Sequence, residues 1–325
     1  MNGAFGLEVG GDPAALRELA VRLATTGVTA FLPTIVSADA DHYAATAAAF
    51  AATRAAPGAR MPGLHLEGPM IAAARPGVHR RTSIIAGDET WDKAVTPLVA
   101  TGDVRLVTLA PERPGALARI APLRAAGVTV ALGHTDASFD QMIAGIDAGA
   151  TLVTHLYSAM SAFHHRAPGA VGAALVDDRV TVSLIADGVH AHPAALNLAL
   201  RVKGPDRTIL VTDAVTAAGQ PAGHYMLVGQ PIISDGQAVR RSDGTLAGSA
   251  LTMDRAVRAM VSLGGARLEE AFAMASTVPA AAIGLADTGR IAVGLRADLT
   301  LWSSNVEVVA TIVGGEVAFT AGSSP

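Results

Sequence analysis

The sequence predicts a parallel α/β barrel of the TIM type, on three observations. Seven short apolar runs alternate with alanine-rich segments of helical pattern over the first two thirds of the 325 residues. The runs are apolar almost throughout, as in VRLVTLAP and VTVALG, which is typical of strands covered on both faces in a parallel sheet. Polar blocks close five of the runs, and the carboxyl ends of barrel strands are where such blocks meet.

Strand–helix alternation of this kind indicates a parallel fold. The predicted strands are Thr29–Val36, Gly63–Glu67, Val104–Pro111, Val128–Gly133, Leu152–His155, Val180–Ala186 and Thr208–Asp213. The predicted helices are one that begins at Asp12 and Pro13, followed by Asp39–Arg54, Arg113–Ala126, Ser138–Ala148 and Pro193–Arg201. Three glycines follow predicted helix ends, where a left-handed residue favours glycine, namely Gly27, Gly127 and Gly149.

A closed (β/α)8 barrel has eight strands, one more than the sequence provides. The chain opens on MNGAFG with no strand before it, so we expect the first barrel strand to be missing from this chain. The alternative is an open, doubly wound sheet, but the glycine-rich nucleotide loop that such a sheet carries after its first strand does not occur here.

The pattern changes after the seventh strand. Residues His224–Val239 alternate between strand and turn signals, which predicts an antiparallel excursion near residues 223–240. Two further helices are predicted at Leu251–Leu263 and Leu268–Ile283. The tail consists of short strands separated by glycine and asparagine. We therefore expect a barrel over residues 1–288 and part of a small β-sandwich over residues 289–325.

Composition excludes several classes of function. The formal net charge of −4 and the lack of a Lys/Arg block argue against nucleic-acid binding. The chain has no cysteine, which excludes disulfides, thiolate zinc sites and cysteine nucleophiles. Neither a membrane-spanning run nor a signal peptide is visible, so we expect a cytoplasmic protein without a membrane partner.

Five polar blocks carry the groups that bind metals or transfer protons. The blocks are His65–Pro69, Gly133–Ala137, Thr154–Met160, Asp187–Pro193 and Val211–Val215. Glu67, His134 and His155 lie at the ends of three predicted strands, and a carboxylate with two imidazoles suits a divalent metal with open positions for water. Any one of the three alone could equally cap a helix or be a satisfied polar group, but three at equivalent strand ends favour a metal site.

The other candidates depend more on their surroundings. Asp213 could transfer protons beside a metal, or it could cap a helix. His190 is predicted to contact substrate, whereas His192, directly before Pro193, is predicted to cap a helix. Arg166 could be a solvated loop charge or an anion clamp.

Two further sequences carry a weaker signal. Taken by itself, His79 is most simply an exposed loop histidine. Gly244–Ser249 is glycine-rich and could cradle an anion, but a tight connection is the better interpretation.

With these blocks in place, the chain resembles the amidohydrolase superfamily and, within it, the family of N-acetylglucosamine-6-phosphate deacetylases. HLEGP, VTLAPE, GHTDA, THLYSAM, IADGVH and VTDA occur in the family's order. The tail GRIAVGLRADLTLW resembles the segment that returns to the small β-sandwich. The resemblance implies hydrolysis of the N-acetyl group of N-acetylglucosamine 6-phosphate, which gives glucosamine 6-phosphate and acetate.

The resemblance also implies roles for individual residues. Glu67, His134 and His155 match the metal ligands. Asp213 matches the aspartate that activates water and protonates the leaving amine, and His79 matches the histidine that polarises the acetyl carbonyl. The positions that match substrate contacts are His190, Arg166, Ser158, Ala159 and Asn2. The family's arginine acts across a dimer interface, so Arg166 implies a homodimer.

Two departures from the family pattern matter. Asn2 matches the last residue of a Gln-x-Asn first motif whose earlier part does not occur here, and we expect this to reflect a start codon placed too late in the gene. The asparagine form implies one metal ion, which we expect to be zinc, with iron, cobalt or manganese as alternatives. Ser158 stands where the family usually has asparagine, which bears on sugar recognition.

Two other functions remain open from the sequence. One is a different amidohydrolase that acts on another N-acyl compound or on a cyclic amide. The carboxylated lysine typical of many such enzymes is not evident, and Glu67 takes the bridging role, which favours the deacetylase. The other is a truncated, non-catalytic sugar-phosphate binder.

Overall fold

The seven predicted strands form one parallel sheet in which neighbours in sequence are neighbours in space. The computed structural model describes residues 1–85 and 87–322. A short antiparallel hairpin comes first, β1 (Gly3–Ala4) and β2 (Leu7–Glu8). The parallel sheet then runs in the order β3 (Thr34–Val36), β4 (Leu64–Glu67), β5 (Val104–Leu109), β6 (Thr129–Leu132), β7 (Leu152–Val153), β8 (Thr181–Leu184) and β9 (Thr208–Leu210).

Helices cover the outside of this curled sheet, as expected for a barrel. The α-helices of the described residues are α1 (Pro13–Ala24), α2 (Ala40–Ala51), α3 (Arg81–Ile85), α4 (Gly87–Thr90), α5 (Thr96–Ala100), α6 (Ala116–Ala125), α7 (Phe139–Asp147), α8 (Gly169–Val176), α9 (Pro193–Lys203), α10 (Met253–Ser262), α11 (Leu268–Ala275) and α12 (Thr277–Ala282). A π-helical turn, Trp91–Val95, joins α4 to α5, and a 3-10 turn, Pro205–Arg207, follows α9.

The predicted caps explain where several helices begin. Asp12 accepts a hydrogen bond from the backbone N–H of Ala14, and Pro13 is the first residue of α1. His192 caps α9, because its Nδ1 accepts from the backbone N–H of Ala194. The structural role predicted for His192 is therefore confirmed.

Outward-facing residues of the strands join the helices in one large core. A second, smaller cluster is formed by four strand residues and Val278 of α12; the strand residues are Leu106, Ala131, Leu152 and Ile209. The ionisable side chains of the candidate site lie at the carboxyl ends of the strands, where Glu67 ends β4. No helix among the described residues is long and apolar enough to cross a lipid bilayer.

The sheet stays open between β3 and β9 in the part of the chain that the structure describes, because no strand there pairs with both edges. Met1 and Asn2 bridge this gap at the carboxyl end. The backbone N–H of Thr34 donates to the Met1 carbonyl at 3.0 Å, and the N–H of Asn2 donates to the Ala214 carbonyl at 2.8 Å. A cavity of about 700 Å³ lies along the gap and reaches Asp213.

Two antiparallel sheets follow the barrel. The first is β10 (Gly223–Leu227), β11 (Gln230–Ser234), β12 (Ala238–Arg240) and β13 (Leu246–Ser249), which have their own small core. The second is β14 (Leu299–Trp302), β15 (Val308–Val313) and β16 (Glu316–Thr320). The expected excursion near 223–240 is thus present and extends to Ser249. The division of the chain at residue 288 stays a prediction.

Several local expectations were wrong. Residues 246–249 form a strand, not a tight connection. The helix predicted over Leu268–Ile283 breaks at Ser276 into α11 and α12. The first predicted strand shortens to β3, because Pro33 has no N–H to donate and Ala30 makes only a single bridge, with Arg60.

Candidate active site

Three candidate ligands lie together where the barrel strands end. Glu67 is the last residue of β4, and His134 and His155 follow β6 and β7 by two residues each. Both histidines have positive φ angles, 47° and 29°. Such left-handed backbone is strained for a histidine, and strain of this kind concentrates at functional sites.

The ligand atoms of these residues fit one cation. The Nε2 atoms of His134 and His155 lie 3.0 Å apart, and each lies 3.3 Å from Oε1 of Glu67. Metal–ligand distances of 2.0–2.1 Å in a tetrahedral site place the ligand atoms roughly 3.3–3.4 Å from one another. The three side chains therefore form one face of a tetrahedral site, which leaves the remaining position open.

Backbone contacts determine which ring nitrogen of His134 is free. Its Nδ1 lies 3.0 Å from the carbonyl oxygen of Arg75. A carbonyl can only accept, so Nδ1 carries the proton and Nε2 keeps its lone pair for a metal. This support of a ligand histidine by a neighbouring carbonyl is common in metal sites.

His79 has the opposite arrangement, although it lies in the same cluster. Glu67, His79 and His134 offer ligand atoms that lie within 4.8 Å of one another, so His79 must be weighed as a ligand. The backbone N–H of Ser37 donates to Nδ1 of His79 at 3.1 Å, which occupies that lone pair. The neutral ring then carries its proton on Nε2 and offers a donor, not a lone pair, toward Glu67. His155 is therefore the better third ligand.

Burial and the carboxylate determine the charges in the cluster. Burial alone would raise the pKa of Glu67, but the imidazole rings of His134, His155 and His79 around its carboxylate hold that pKa well below its usual range. Burial lowers the pKa of His79 and keeps the ring neutral. It acts in the same direction on His155, but the Glu67 carboxylate outweighs it and raises the pKa of His155. An anionic carboxylate beside two imidazoles suits a divalent cation.

Asp213 lies beside the cluster, three residues beyond the end of β9. Its φ of 46° is again left-handed, and its backbone carbonyl accepts from the N–H of Ser249 at 2.9 Å. The side-chain Nδ2 of Asn2 lies 3.4 Å from Oδ1 of Asp213. Asn2 is 4% exposed, and its Oδ1 has no partner among the described residues. The structure thus brings Asn2 and Asp213 together.

The remaining candidates occupy two neighbouring loops. His190 is paired with Asp187, whose Oδ2 lies 2.7 Å from Nδ1 of the ring. Ser158 and Ala159 lie in the loop that follows His155, where Tyr157 and Ala159 have positive φ angles of 80° and 49°. The backbone N–H of Ser158 donates to the His155 carbonyl at 2.9 Å, which closes a tight turn directly after the candidate ligand.

Arg166 is not brought to the cluster within this chain. It is exposed, and its guanidinium hydrogen-bonds to Nε2 of His165 at 2.8 Å. Its expected role at the site of a neighbouring subunit stays a prediction.

Sequence analysis missed two residues that hold the candidates in place. Ser37 contacts His79, and Asp187 contacts His190. Asp187 lay inside the DGVHAHP block, and its spacing of three residues from His190 was an available signal. Ser37 directly follows the first predicted strand, but a single serine at a strand end has many common roles.

A parallel barrel with a buried Glu–His–His cluster at the carboxyl ends of its strands defines a class, the metal-dependent hydrolases of the amidohydrolase type. The model of the amidohydrolase family matches residues 14–318, and the chain belongs to that family.

Among individual relatives, the chain is 39% identical to N-acetylgalactosamine-6-phosphate deacetylase of Escherichia coli O157:H7, over 98% of this chain and 85% of the relative. It is similar to the crystal structure of N-acetylglucosamine-6-phosphate deacetylase from Pasteurella multocida, with 32% identity and a TM-score of 0.91 over 98% of this chain and 83% of that one. It is also similar to a variant of the Mycobacterium smegmatis deacetylase solved in complex with N-acetyl-D-glucosamine-6-phosphate, with 34% identity and a TM-score of 0.87 over 98% and 84%.

Proposed function

We propose that this protein hydrolyses the N-acetyl amide of N-acetylglucosamine 6-phosphate and releases acetate and glucosamine 6-phosphate. The observation that carries the proposal is the convergence of Glu67, His134 and His155 next to His79 and Asp213, in a chain whose relatives are named as deacetylases of acetylated amino-sugar phosphates. Each of the five side chains has a chemical task in amide hydrolysis.

We assign the metal to Glu67, His134 and His155, and we expect one zinc ion, with iron, cobalt or manganese as alternatives. A divalent cation held there would lower the pKa of a water molecule and polarise the amide carbonyl. The donor set fits such an ion because two of its ligand atoms are imidazole nitrogens. Zinc and the other transition metals named here bind imidazole well, whereas magnesium and calcium favour oxygen ligands.

Asp213 is proposed to transfer the proton. It accepts a proton from the attacking water as the new C–O bond forms, and it returns that proton to the nitrogen as the C–N bond breaks. The negative charge of Asp213 is near enough to the cluster to raise the pKa of His155, although burial and Glu67 act more strongly on that ring. Its carboxylate also lines the cavity that reaches Glu67 and His155.

His79 is proposed to stabilise the oxyanion that forms at the carbonyl oxygen. Its Nε2 is buried and has no hydrogen-bond partner among the described residues. A preorganised N–H donor in a site that excludes water stabilises the transition state strongly when negative charge develops on the atom that it faces. A donor assignment therefore suits His79 better than a place among the metal ligands.

The sugar phosphate is proposed to contact His190, Ser158, Ala159 and Asn2, with Arg166 supplied by the second subunit of a homodimer. Mixing two inactive variants tests the dimer. In a heterodimer of Arg166→Ala and Asp213→Asn, one site regains both groups, so random mixing should restore about a quarter of the activity. A mixture that stays inactive contradicts the shared site.

Acetate release tests the proposed reaction. The metal-loaded protein is assayed on N-acetylglucosamine 6-phosphate, on its galacto epimer and on unphosphorylated N-acetylglucosamine. The epimer is included because the E. coli relative is named for it. Acetate release from a phosphorylated sugar supports the proposal. Bound metal and bound sugar phosphate without acetate release would indicate the non-catalytic binder instead.

A further inference from the structure

We propose that Ser37 is a positioning residue for the reaction, because it holds His79 in the tautomer that donates from Nε2. This inference rests on the proposed function of His79. Ser37 is 1% exposed and directly follows β3, so it lies at the same end of the barrel as the candidate ligands.

Two groups of Ser37 contact one nitrogen of the ring. The backbone N–H donates to Nδ1 of His79 at 3.1 Å, and the hydroxyl oxygen lies 2.8 Å from the same atom. The peptide N–H can only donate, so Nδ1 is the acceptor and the hydroxyl also donates to it. The neutral ring must then carry its proton on Nε2, which is buried, lacks a partner among the described residues and lies 3.8 Å from Oε2 of Glu67.

The tautomer decides what His79 can do. The rings of His79 and His134 lie 4.6 Å apart, but His134 donates from Nδ1 to the Arg75 carbonyl and keeps its Nε2 lone pair. Opposite backbone partners therefore separate a metal-ligand histidine from a donor histidine in one cluster. If the Nδ1 proton were favoured instead, Nε2 of His79 would present a lone pair to the developing oxyanion and repel it.

The packing around the hydroxyl indicates that its place is fixed by the fold. Gly68 has φ +90°, and a Cβ at that position would lie 2.3 Å from Oγ of Ser37. The hydroxyl is thus enclosed between the bare Cα of Gly68 and the ring of His79.

The first experiment is kinetic and uses Ser37→Ala in the metal-loaded protein. The amide N–H remains, so we expect kcat for acetate release to fall by about tenfold, with KM and metal content nearly unchanged. An N-trifluoroacetyl substrate has a more electrophilic carbonyl, whose hydrolysis depends less on a hydrogen-bond donor. With this substrate the loss of kcat in Ser37→Ala should therefore be only about twofold. Ser37→Thr, which keeps a hydroxyl, should recover most of the rate.

A double-mutant cycle separates positioning from general stability. In a His79→Ala background, Ser37→Ala should cost no further activity, because the ring that it positions is gone. Thr53→Ala is the matched control: Thr53 has a buried hydroxyl that bonds to the Ala49 and Phe50 carbonyls on α2, away from the cluster. It should lower stability without changing the ratio of acetyl to trifluoroacetyl rates. An equal loss on both substrates that persists without His79 would overturn the proposal.

A measurement that does not depend on turnover tests the tautomer of His79 separately from the proposed reaction. Nitrogen-15 chemical shifts of imidazole distinguish the two neutral tautomers, and His79 is assigned by its loss in His79→Ala. We expect the Nε2–H form in the protein and a mixture of forms in Ser37→Ala. The Nδ1–H form in the unmutated protein would overturn the positioning role even if acetate is released, whereas a lack of acetate release with the Nε2–H form present would count only against the proposed reaction.

Discussion

The Nε2 atom of His134 lies 3.0 Å from the Nε2 atom of His155, and a single carboxylate oxygen of Glu67 lies 3.3 Å from both. The lone pair of His134 must point into this space, because its Nδ1 proton is used by the Arg75 carbonyl. Three electron-rich atoms this close together are stabilised best by a cation between them, and metal binding is therefore expected to be coupled to folding.

The first prediction follows from that coupling. Removal of metal with a chelator should lower Tm, and added zinc should restore it. If free zinc exceeds the dissociation constant a thousandfold, the stabilisation is about 4 kcal/mol. His155→Ala and Glu67→Gln should lose the bound metal in elemental analysis, while His79→Gln should keep it. Loss of metal in His79→Gln with retention in His155→Ala would show that the ligand set includes His79 in place of His155.

The second prediction concerns Asp213. Asp213→Asn keeps the size of the side chain and a possible contact with Asn2 but removes the proton acceptor. We expect acetate release to fall by at least about a thousandfold, while metal content and affinity for the sugar phosphate change little. Single-turnover kinetics and calorimetric titration check the two parts. Substantial activity in Asp213→Asn would refute the assigned role.

The positions of the candidate ligands could be predicted from sequence because each one ends an apolar run. Parallel strands bring their carboxyl ends together, so Glu67, His134 and His155 had to be neighbours once the strands were assigned. Ser37 could not be found in this way. Its significance depends on the loop that carries His79, 42 residues further on, which folds back over the end of β3.

Hydrophobic periodicity did not reveal the helices that have no polar face or that are very short. Helix α8 consists of GAVGAALV, and seven of its eight residues are buried, so no amphipathic pattern marks it. The described residues between Arg81 and Ala100 are divided among short helices and a π-helical turn, none of which is long enough to show a helical period. Neither of these missed regions contributes a strand end that carries a candidate ligand. The positions of the candidate ligands could therefore be predicted better than the helices around the barrel.

The third prediction tests the contact between Gly68 and Ser37. Gly68→Ala combines a positive φ with a Cβ that would lie 2.3 Å from the serine Oγ, and we expect it to cost about 3 kcal/mol or more of unfolding free energy. Gly102→Ala is the matched control, because Gly102 has φ +77° and no heavy atom within 4 Å of an added Cβ. It should cost about 1 kcal/mol.

The same pair gives a second check on the clash. Ser37→Ala removes the Oγ that the new methyl group would meet and leaves the backbone strain. The double variant Gly68→Ala with Ser37→Ala should therefore be more stable than the sum of the two single changes predicts, which denaturant titration can measure. Strict additivity would indicate that the two positions do not touch.

The fourth prediction concerns Asp187, whose carboxylate has two tasks. Its Oδ1 accepts the backbone N–H groups of Val189 and His190, and its Oδ2 pairs with the His190 ring. Asp187→Asn can keep the turn but places an amide donor where the ring needs an acceptor. If His190 binds the sugar phosphate, KM should rise by about tenfold with kcat within about twofold.

Asp235 provides a matched control for that change. Its Oδ1 accepts the backbone N–H groups of Gln237 and Ala238 in the same kind of turn, but in an exposed loop without a histidine partner. Asp235→Asn should leave both kinetic constants unchanged. An unchanged KM in Asp187→Asn would mean that the Asp187–His190 pair serves only the local fold.

The fifth prediction is a pH dependence of stability that comes from His65. This histidine is 8% exposed, and its ring nitrogens lie 3.1 Å and 2.8 Å from the hydroxyls of Thr34 and Thr108. Burial, the largest effect, lowers its pKa from the ordinary value of 6.5 to about 3. Between these two pH values the unfolded chain binds a proton that the folded chain cannot, so this residue makes folding less favourable as pH falls from 6.5 toward 3.

The size of that effect can be isolated by replacing His65. The linkage amounts to about 1.4 kcal/mol per pH unit, or about 2 kcal/mol between pH 6.5 and pH 5. His65→Asn and His65→Gln should be less stable than the unmutated protein at pH 7, but each should lose about 2 kcal/mol less on going to pH 5. Urea titrations of the three metal-free proteins at both pH values measure this difference. Equal losses in all three would mean that His65 takes up its proton as readily in the folded protein as in the unfolded chain.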